Sequence, residues 1–197
     1  VSGTASIYVN GVLQTLSTST LPSGSIDMYL FSATPSFIGV FSTFGSYFDG
    51  YMAEIYGIDG QALTPSSFGA FDTNGIWQPI RYSGTYGTNG FYLPFTNTAS
   101  TATLGNDYSG NGNTWTVNNI SLTSGSTYDS MTDVPTLTSP TAANYCTLNP
   151  LDSNSVTISN GNLKVTYGSA SWKGARGSIA IPNLKVICFI KGLYETE

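Results

Sequence analysis

Histidine is missing from all 197 residues, and charge is scarce: Asp, Glu, Lys and Arg make up 9% of the chain, where an ordinary soluble domain carries about 25%. Without histidine there is no Ser-His or Cys-His nucleophile pair, no common zinc site and no usual general base at neutral pH. Cysteine is nearly absent too. Cys146 and Cys188, 42 residues apart, are too few for a disulfide-stapled scaffold and are expected to be buried free thiols. No apolar run approaches the ~18 residues of a membrane helix, and Val186-Ile-Cys-Phe-Ile190 is a buried strand at most. No membrane span is expected. Residues 1–21 have neither the basic start nor the apolar core of a signal peptide. There is no initiator Met, and the chain enters at once on a β pattern, so a piece of a longer polypeptide is expected.

The few charges are unevenly placed. Residues 1–163 hold one basic residue, Arg81, and nine acidic ones, for −8; residues 164–197 hold five basic and two acidic, for +3. A nucleic-acid binder needs a basic stripe through its folded body, and this body is acidic, which excludes nucleic acid as a partner.

Gly, Ser, Thr and Asn stand where charge is missing, and Tyr and Phe together number 23, too many aromatics for a disordered chain. Short β-rich runs punctuated by Gly and Pro make the chain all-β. Ile7-Tyr-Val-Asn-Gly-Val-Leu-Gln-Thr15 calls for a two-residue type I′ hairpin turn at Asn10-Gly11, with positive φ at both residues. Val156-Thr-Ile-Ser-Asn-Gly-Asn-Leu-Lys-Val-Thr166 repeats the signal at Asn160-Gly161. The most informative stretch runs from Phe48 to Phe68. After the Asp49-Gly50 turn it alternates with period two over residues 51–58. Tyr51, Ala53 and Ile55 are expected on the buried side, and Glu54 on the solvent or interface side. Asp59-Gly60 ends the strand, and Leu63-Thr-Pro-Ser-Ser-Phe68 reads as a capped turn. Further strands are expected at residues 30–33, 37–41, 90–95, 115–117 and 172–181. Residues 122–144, rich in Ser, Thr, Pro and Asp, read as a linker or a surface-hugging extended arm.

The Phe48–Phe68 pattern resembles the closing strand of laminin G-like domains, a branch of the concanavalin A-like jelly rolls. The Asn10-Gly11 hairpin and the Phe37-Ile-Gly-Val-Phe41 strand resemble the elements before it. Phe91-Tyr-Leu-Pro-Phe95, Asp107-Tyr-Ser-Gly-Asn-Gly-Asn113 and Trp115-Thr-Val117 resemble the opening strands, as in the extended versions found in bacteriophage tail fibres. The resemblance implies an antiparallel jelly-roll β-sandwich over residues 1–121, its N-terminal half missing or rearranged, with an additional β-rich C-terminal segment. Residues 145–197 resemble the start of a SPRY-like module. They depart from that family where Asn183-Leu-Lys-Val-Ile-Cys-Phe-Ile-Lys191 stands.

What the resemblance implies is a non-enzymatic virion-surface protein, extracellular, attaching to a host through a surface glycan or protein and to other virion proteins. The alternatives are a purely structural filament or capsid-decorating subunit, and an inactive or divergent glycosidase-like module. Sheet edges with so few charges to guard them call for cover by a neighbouring subunit. In fibres that cover is commonly a trimer, which also multiplies weak receptor contacts.

Few residues suit catalysis or metal binding. Glycoside hydrolysis needs two carboxylates flanking the scissile bond. The Phe48–Phe68 strand offers Glu54 alone, with Asp59 beyond its end, so no catalytic residue is assigned. Residues 107, 109, 111 and 113 carry side-chain oxygens and Gly112 stands at the sixth position, as in a calcium loop, but the twelfth position is Asn118. One carboxylate among neutral ligands, Asp107 with Ser109 and Asn111, holds calcium weakly, and an Asx-rich turn is the competing reading. Trp77, Tyr82 and Tyr86 lie near glycine-rich turns and are the candidates for stacking on sugar rings. Packing is the alternative for each, and the favoured one for Trp115.

Overall fold

The computed structural model describes residues 5–17, 36–41, 45–131, 133–136, 144–168 and 173–179. Among them the regular structure is strand, with no α-helix and only two 3-10 turns, Pro65–Ser67 and Ala102–Gly105. The strands expected at residues 30–33 and 186–190, with Trp172 and Cys188, lie outside the described residues.

The described residues form twelve strands in six antiparallel two-stranded ribbons. Three are local hairpins in the first half of the chain: β1 (Tyr8–Val9) with β2 (Val12–Leu13), β3 (Val40–Phe41) with β4 (Ser46–Tyr47), and β6 (Gly69–Phe71) with β7 (Trp77–Pro79). Between them in sequence, β5 (Ile55–Gly57) pairs with the distant β8 (Phe91–Leu93), matching Ile55 to Leu93, Tyr56 to Tyr92 and Gly57 to Phe91. Toward the C-terminus β9 (Leu148–Asn154) pairs with β12 (Gly174–Gly177), with an irregular register between Ala175 and Gly177. Inside that pair, β10 (Thr157–Ser159) folds on β11 (Lys164–Thr166).

The first Asn-Gly turn forms as expected. Asn10 and Gly11 both take positive φ and join the paired residues Val9 and Val12, as a type I′ turn requires. The second is wider. Asn160, Gly161 and Asn162 all have positive φ, and the nearest paired residues are Ser159 and Lys164, so the loop runs from Asn160 to Leu163. Its shape serves docking. Asn160 Oδ1 accepts the Gly125 N–H at 2.8 Å, the Asn160 N–H donates to the Gly125 carbonyl at 3.2 Å, and Gly161 lies against the Ser130 carbonyl where a Cβ would collide. Residues 121–131 are thus laid onto this hairpin as an arm.

The expected long strand at residues 51–58 shortens to Ile55–Gly57, and burial follows neither side alone: Glu54 and Gly57 are buried, while Tyr56 and Ile58 are half-buried and Met52 is exposed. Tyr51 is 69% exposed, while Ala53 and Ile55 are half-buried. Glu54 is 9% exposed and inward, a correction to its expected solvent-side place. The cause is twofold. Glu54 adopts a left-handed, positive-φ conformation, which ends the regular strand in front of it. Tyr56 stacks on its cross-strand partner Tyr92 at 4.6 Å and 4°, and the Tyr92 hydroxyl placed there bonds the Glu54 carboxylate. On the opposite side Gly57 is covered by the Phe91 ring, where any larger residue would clash.

The core is small and centred on β8: Phe91, Tyr92 and Leu93 are 5% exposed or less, with Leu104, Tyr82 and Val134 also buried. Phe68 lies 5.7 Å from Tyr56 and 5.3 Å from Tyr82, and Trp115 meets Phe91 edge-on at 4.9 Å. Trp115 therefore packs, but from extended chain outside any strand. Cys146, expected buried, is exposed at the start of β9 with its sulfur against Gly177.

Candidate functional site: a buried carboxylate in an apolar cleft

Glu54 sits where β5 begins. Its Oε1 accepts the Tyr92 hydroxyl at 3.0 Å and the Thr136 hydroxyl in a still shorter contact. Tyr92 reaches it because pairing with Tyr56 sets its ring across the strand from Glu54. Thr136 reaches it from the far end of the arm. Oε2 takes no hydrogen bond from the described residues. The carboxylate forms one wall of a cleft of about 410 Å³, whose other walls are Ala53, Tyr56, Phe68, Pro79, Ile80 and Pro135.

Among the described residues no cation pairs with Glu54. The one ion pair there, Arg176 to Asp152 at 2.9 Å, is elsewhere and exposed. Arg81 lies over the Tyr92 ring, 5.2 Å from its centroid. Burial, and then the negative charge of Glu54, drive the Tyr92 phenol far above its ordinary value. Burial likewise raises Tyr56, with Glu54 adding to the rise, while the nearby Tyr92 hydroxyl and Tyr82 main chain pull the other way. Among the described residues the Tyr56 hydroxyl is buried without a hydrogen-bond partner. Burial also pushes Tyr86 up to about 12, helped by Tyr56.

The three candidates for sugar stacking do not converge. Tyr82 is 8% exposed, its ring enclosed by Tyr56, Phe68 and Tyr86, and its hydroxyl donates to the Thr85 carbonyl at 2.9 Å. Tyr86 meets Tyr82 edge-on at 5.2 Å and is half-buried. Trp77 stands apart, against Phe71 at 5.2 Å and over Gly11 and Gly69, so that it joins the β1–β2 turn to the β6–β7 hairpin.

The Asp107–Asn113 loop is a knot. Asp107 Oδ1 accepts the Tyr92 and Ser109 N–H groups, both at 2.8 Å; Oδ2 accepts the Ser109 hydroxyl at 2.8 Å and the Asn113 N–H at 2.9 Å. Two carboxylate oxygens offer about four acceptor sites, and four donors occupy them. Burial alone raises the Asp107 carboxyl, but these hydrogen bonds outweigh it and hold the group below its usual range. The amides of Asn111 and Asn113 donate to the carbonyls of Gly87, Thr88 and Gly90. Gly90 is pressed so closely on the Tyr86 carbonyl that no side chain fits there. The one carboxylate of the loop thus has its acceptor sites occupied, and calcium would have to displace those bonds. Among the described residues no group of three His, Cys, Asp or Glu could hold a metal.

Reading the sequence missed Glu54 as a buried group, although a lone acid between Ala53 and Ile55 in a chain this poor in charge was a signal. Comparison with known protein families, characterised proteins and solved structures finds no match to this chain.

Proposed function

We propose that this chain is a non-enzymatic virion-surface protein, a jelly-roll module of a phage tail fibre or related appendage that serves host attachment through glycan or surface recognition. The observation that carries the reading is the openness of its strands. Every ribbon among the described residues is two strands wide, and large apolar side chains stand in solvent on them: Tyr47 is 73% exposed, Leu151 95%. Such edges pair with a neighbour unless charge or cover prevents it, so a chain of this kind belongs in an assembly, and a trimer is the expected form. The sandwich reading is supported by the pairing of β5 with β8, which brings the strand read as closing against the strand read as opening. Among the residues lining the cleft Glu54 is the one carboxylate, which favours binding over glycoside hydrolysis.

Sedimentation and glycan-array binding of the 197-residue chain test this. Self-association with micromolar glycan binding is expected. A well-folded monomer at micromolar concentration overturns the assembly argument, and polysaccharide hydrolysis lost in Glu54→Gln overturns the non-enzymatic one. The second reading, a purely structural filament or capsid-decorating subunit, is favoured by the enclosure of Tyr82, whose ring has no face free for a sugar. Assembly without glycan binding would select it.

A further inference from the structure

From Glu54 and the cleft around it we infer that this chain has a binding site for a protonated amine on an apolar stem, the chemistry of a lysine side chain presented by a partner protein. The inference goes beyond attachment and holds whether or not the chain sits on a virion.

Glu54 is more than nine-tenths buried, and a buried carboxylate is stable when it is paired and hydrogen-bonded. The protein supplies only half of that. Two neutral hydroxyls, of Tyr92 and Thr136, fix Oε1, and among the described residues no cation lies within ion-pair distance. Oε2 has no partner among the described residues, and Glu54 lines the cleft. The backbone strain at Glu54 points the same way, because a left-handed conformation at a residue that is neither Gly nor Asn persists where the surroundings impose it.

The walls choose among cations. Ala53, Phe68, Pro79, Ile80 and Pro135 offer apolar surface, and Tyr56 also lines the cleft. An alkyl stem satisfies such walls while its ammonium meets Oε2 in a charge-assisted hydrogen bond. An amino sugar carries several hydroxyls that would find no partners there, at a cost for each. Arg81 rests on the Tyr92 ring instead.

The test is a titration of the full chain, followed by backbone amide NMR, with three probes: Nα-acetyl-lysine methylamide, the same compound acetylated at Nε, and glucosamine. Saturable shifts at Ala53, Glu54, Tyr56 and Ile80 are expected with the first probe alone. Affinity should fall at least about tenfold in Glu54→Gln, as for loss of a charge-assisted bond. Because Glu54→Gln disturbs a buried site, a second variant is read beside it. Ile80 is 47% exposed on the rim, and Ile80→Lys supplies an ammonium from within the chain, so it should abolish binding while Ile80→Thr retains it. Three results would overturn the inference: no saturable shift with the lysine probe, equal affinity for the Nε-acetylated compound or glucosamine, or undiminished binding in Ile80→Lys.

Discussion

The chain between Glu54 and Val117 and the chain from Thr147 to Ser178 use the same vocabulary of short strands and tight turns, yet they are held by different forces. The first is organised around buried rings, with Tyr92 and Leu93 both 1% exposed. In the second, β11 is exposed throughout and β9 is exposed from Pro150 to its end. Its ion pair, Arg176 with Asp152, joins two exposed side chains, a setting in which such pairs contribute little. What fixes it is main-chain pairing and its attachment to the arm at Gly125 and Ser130. Four strands in each region therefore conceal unequal stability, because a ladder without an apolar face adds little by itself.

The strongest way to break this comparison is to empty the first region. Tyr92→Ala should cost about 3–5 kcal/mol, as for other buried aromatics, and lower the denaturation midpoint. Leu151→Ala in β9 should change stability by less than about 0.5 kcal/mol. Similar losses for the two would show that the regions share one core.

Next comes the knot. Asp107→Ala removes four hydrogen bonds to a charged acceptor and should cost roughly 2–3 kcal/mol. Because folding lowers the Asp107 carboxyl below its ordinary value of 3.8, its stabilising effect is complete above that value and is lost as pH falls through the folded one. Acid unfolding followed by circular dichroism should lose part of its pH dependence in Asp107→Asn.

Asn160→Ala, which removes the acceptor of the Gly125 N–H and a residue tolerant of positive φ, should cost about 1–2 kcal/mol. It should also speed hydrogen exchange at Gly125 without affecting Tyr92. If exchange quickens at both, the arm and the ring cluster open as one unit.

The smallest effect is alkaline. Folding raises Tyr86 from 10.0 to about 12, so its contribution is complete below the ordinary value and declines as pH rises through the folded one. Tyrosinate absorbance should show a late component near pH 12 that shrinks by one ring in Tyr86→Phe, while Tyr92, raised further, ionises later still. An unchanged late component would place the burial on another ring.

What could be read from the sequence was what short stretches decide. The Asn10-Gly11 turn is encoded in two residues and forms as expected. The Asn160-Gly161 turn carries the same dipeptide, but it forms a wider loop that contacts the arm, which the dipeptide does not encode. Glu54 was misplaced because alternation over residues 51–58 gives two faces and no rule for choosing between them. The choice was made by Tyr92, far along the chain, whose hydroxyl bonds the Glu54 carboxylate and needed an acceptor once buried. For Tyr82 and Tyr86, beside glycines, the sequence leaves stacking on sugars and packing both open, and only the fold of residues 82–90 onto β5 encloses the first and half-covers the second.

The bond between Glu54 and Thr136 also has a mechanical meaning. It spans 82 positions in sequence, roughly 270 Å of fully extended chain. Under tension a ribbon two or three pairs long opens pair by pair, so load would pass from the ladders to this tie and to the β5–β8 strands behind it. The hidden length is released only when both part. An ammonium on Oε2 leaves the bond from Thr136 to Oε1 in place and binds only the folded cleft, so the force at which the chain lengthens should rise when the cleft is filled.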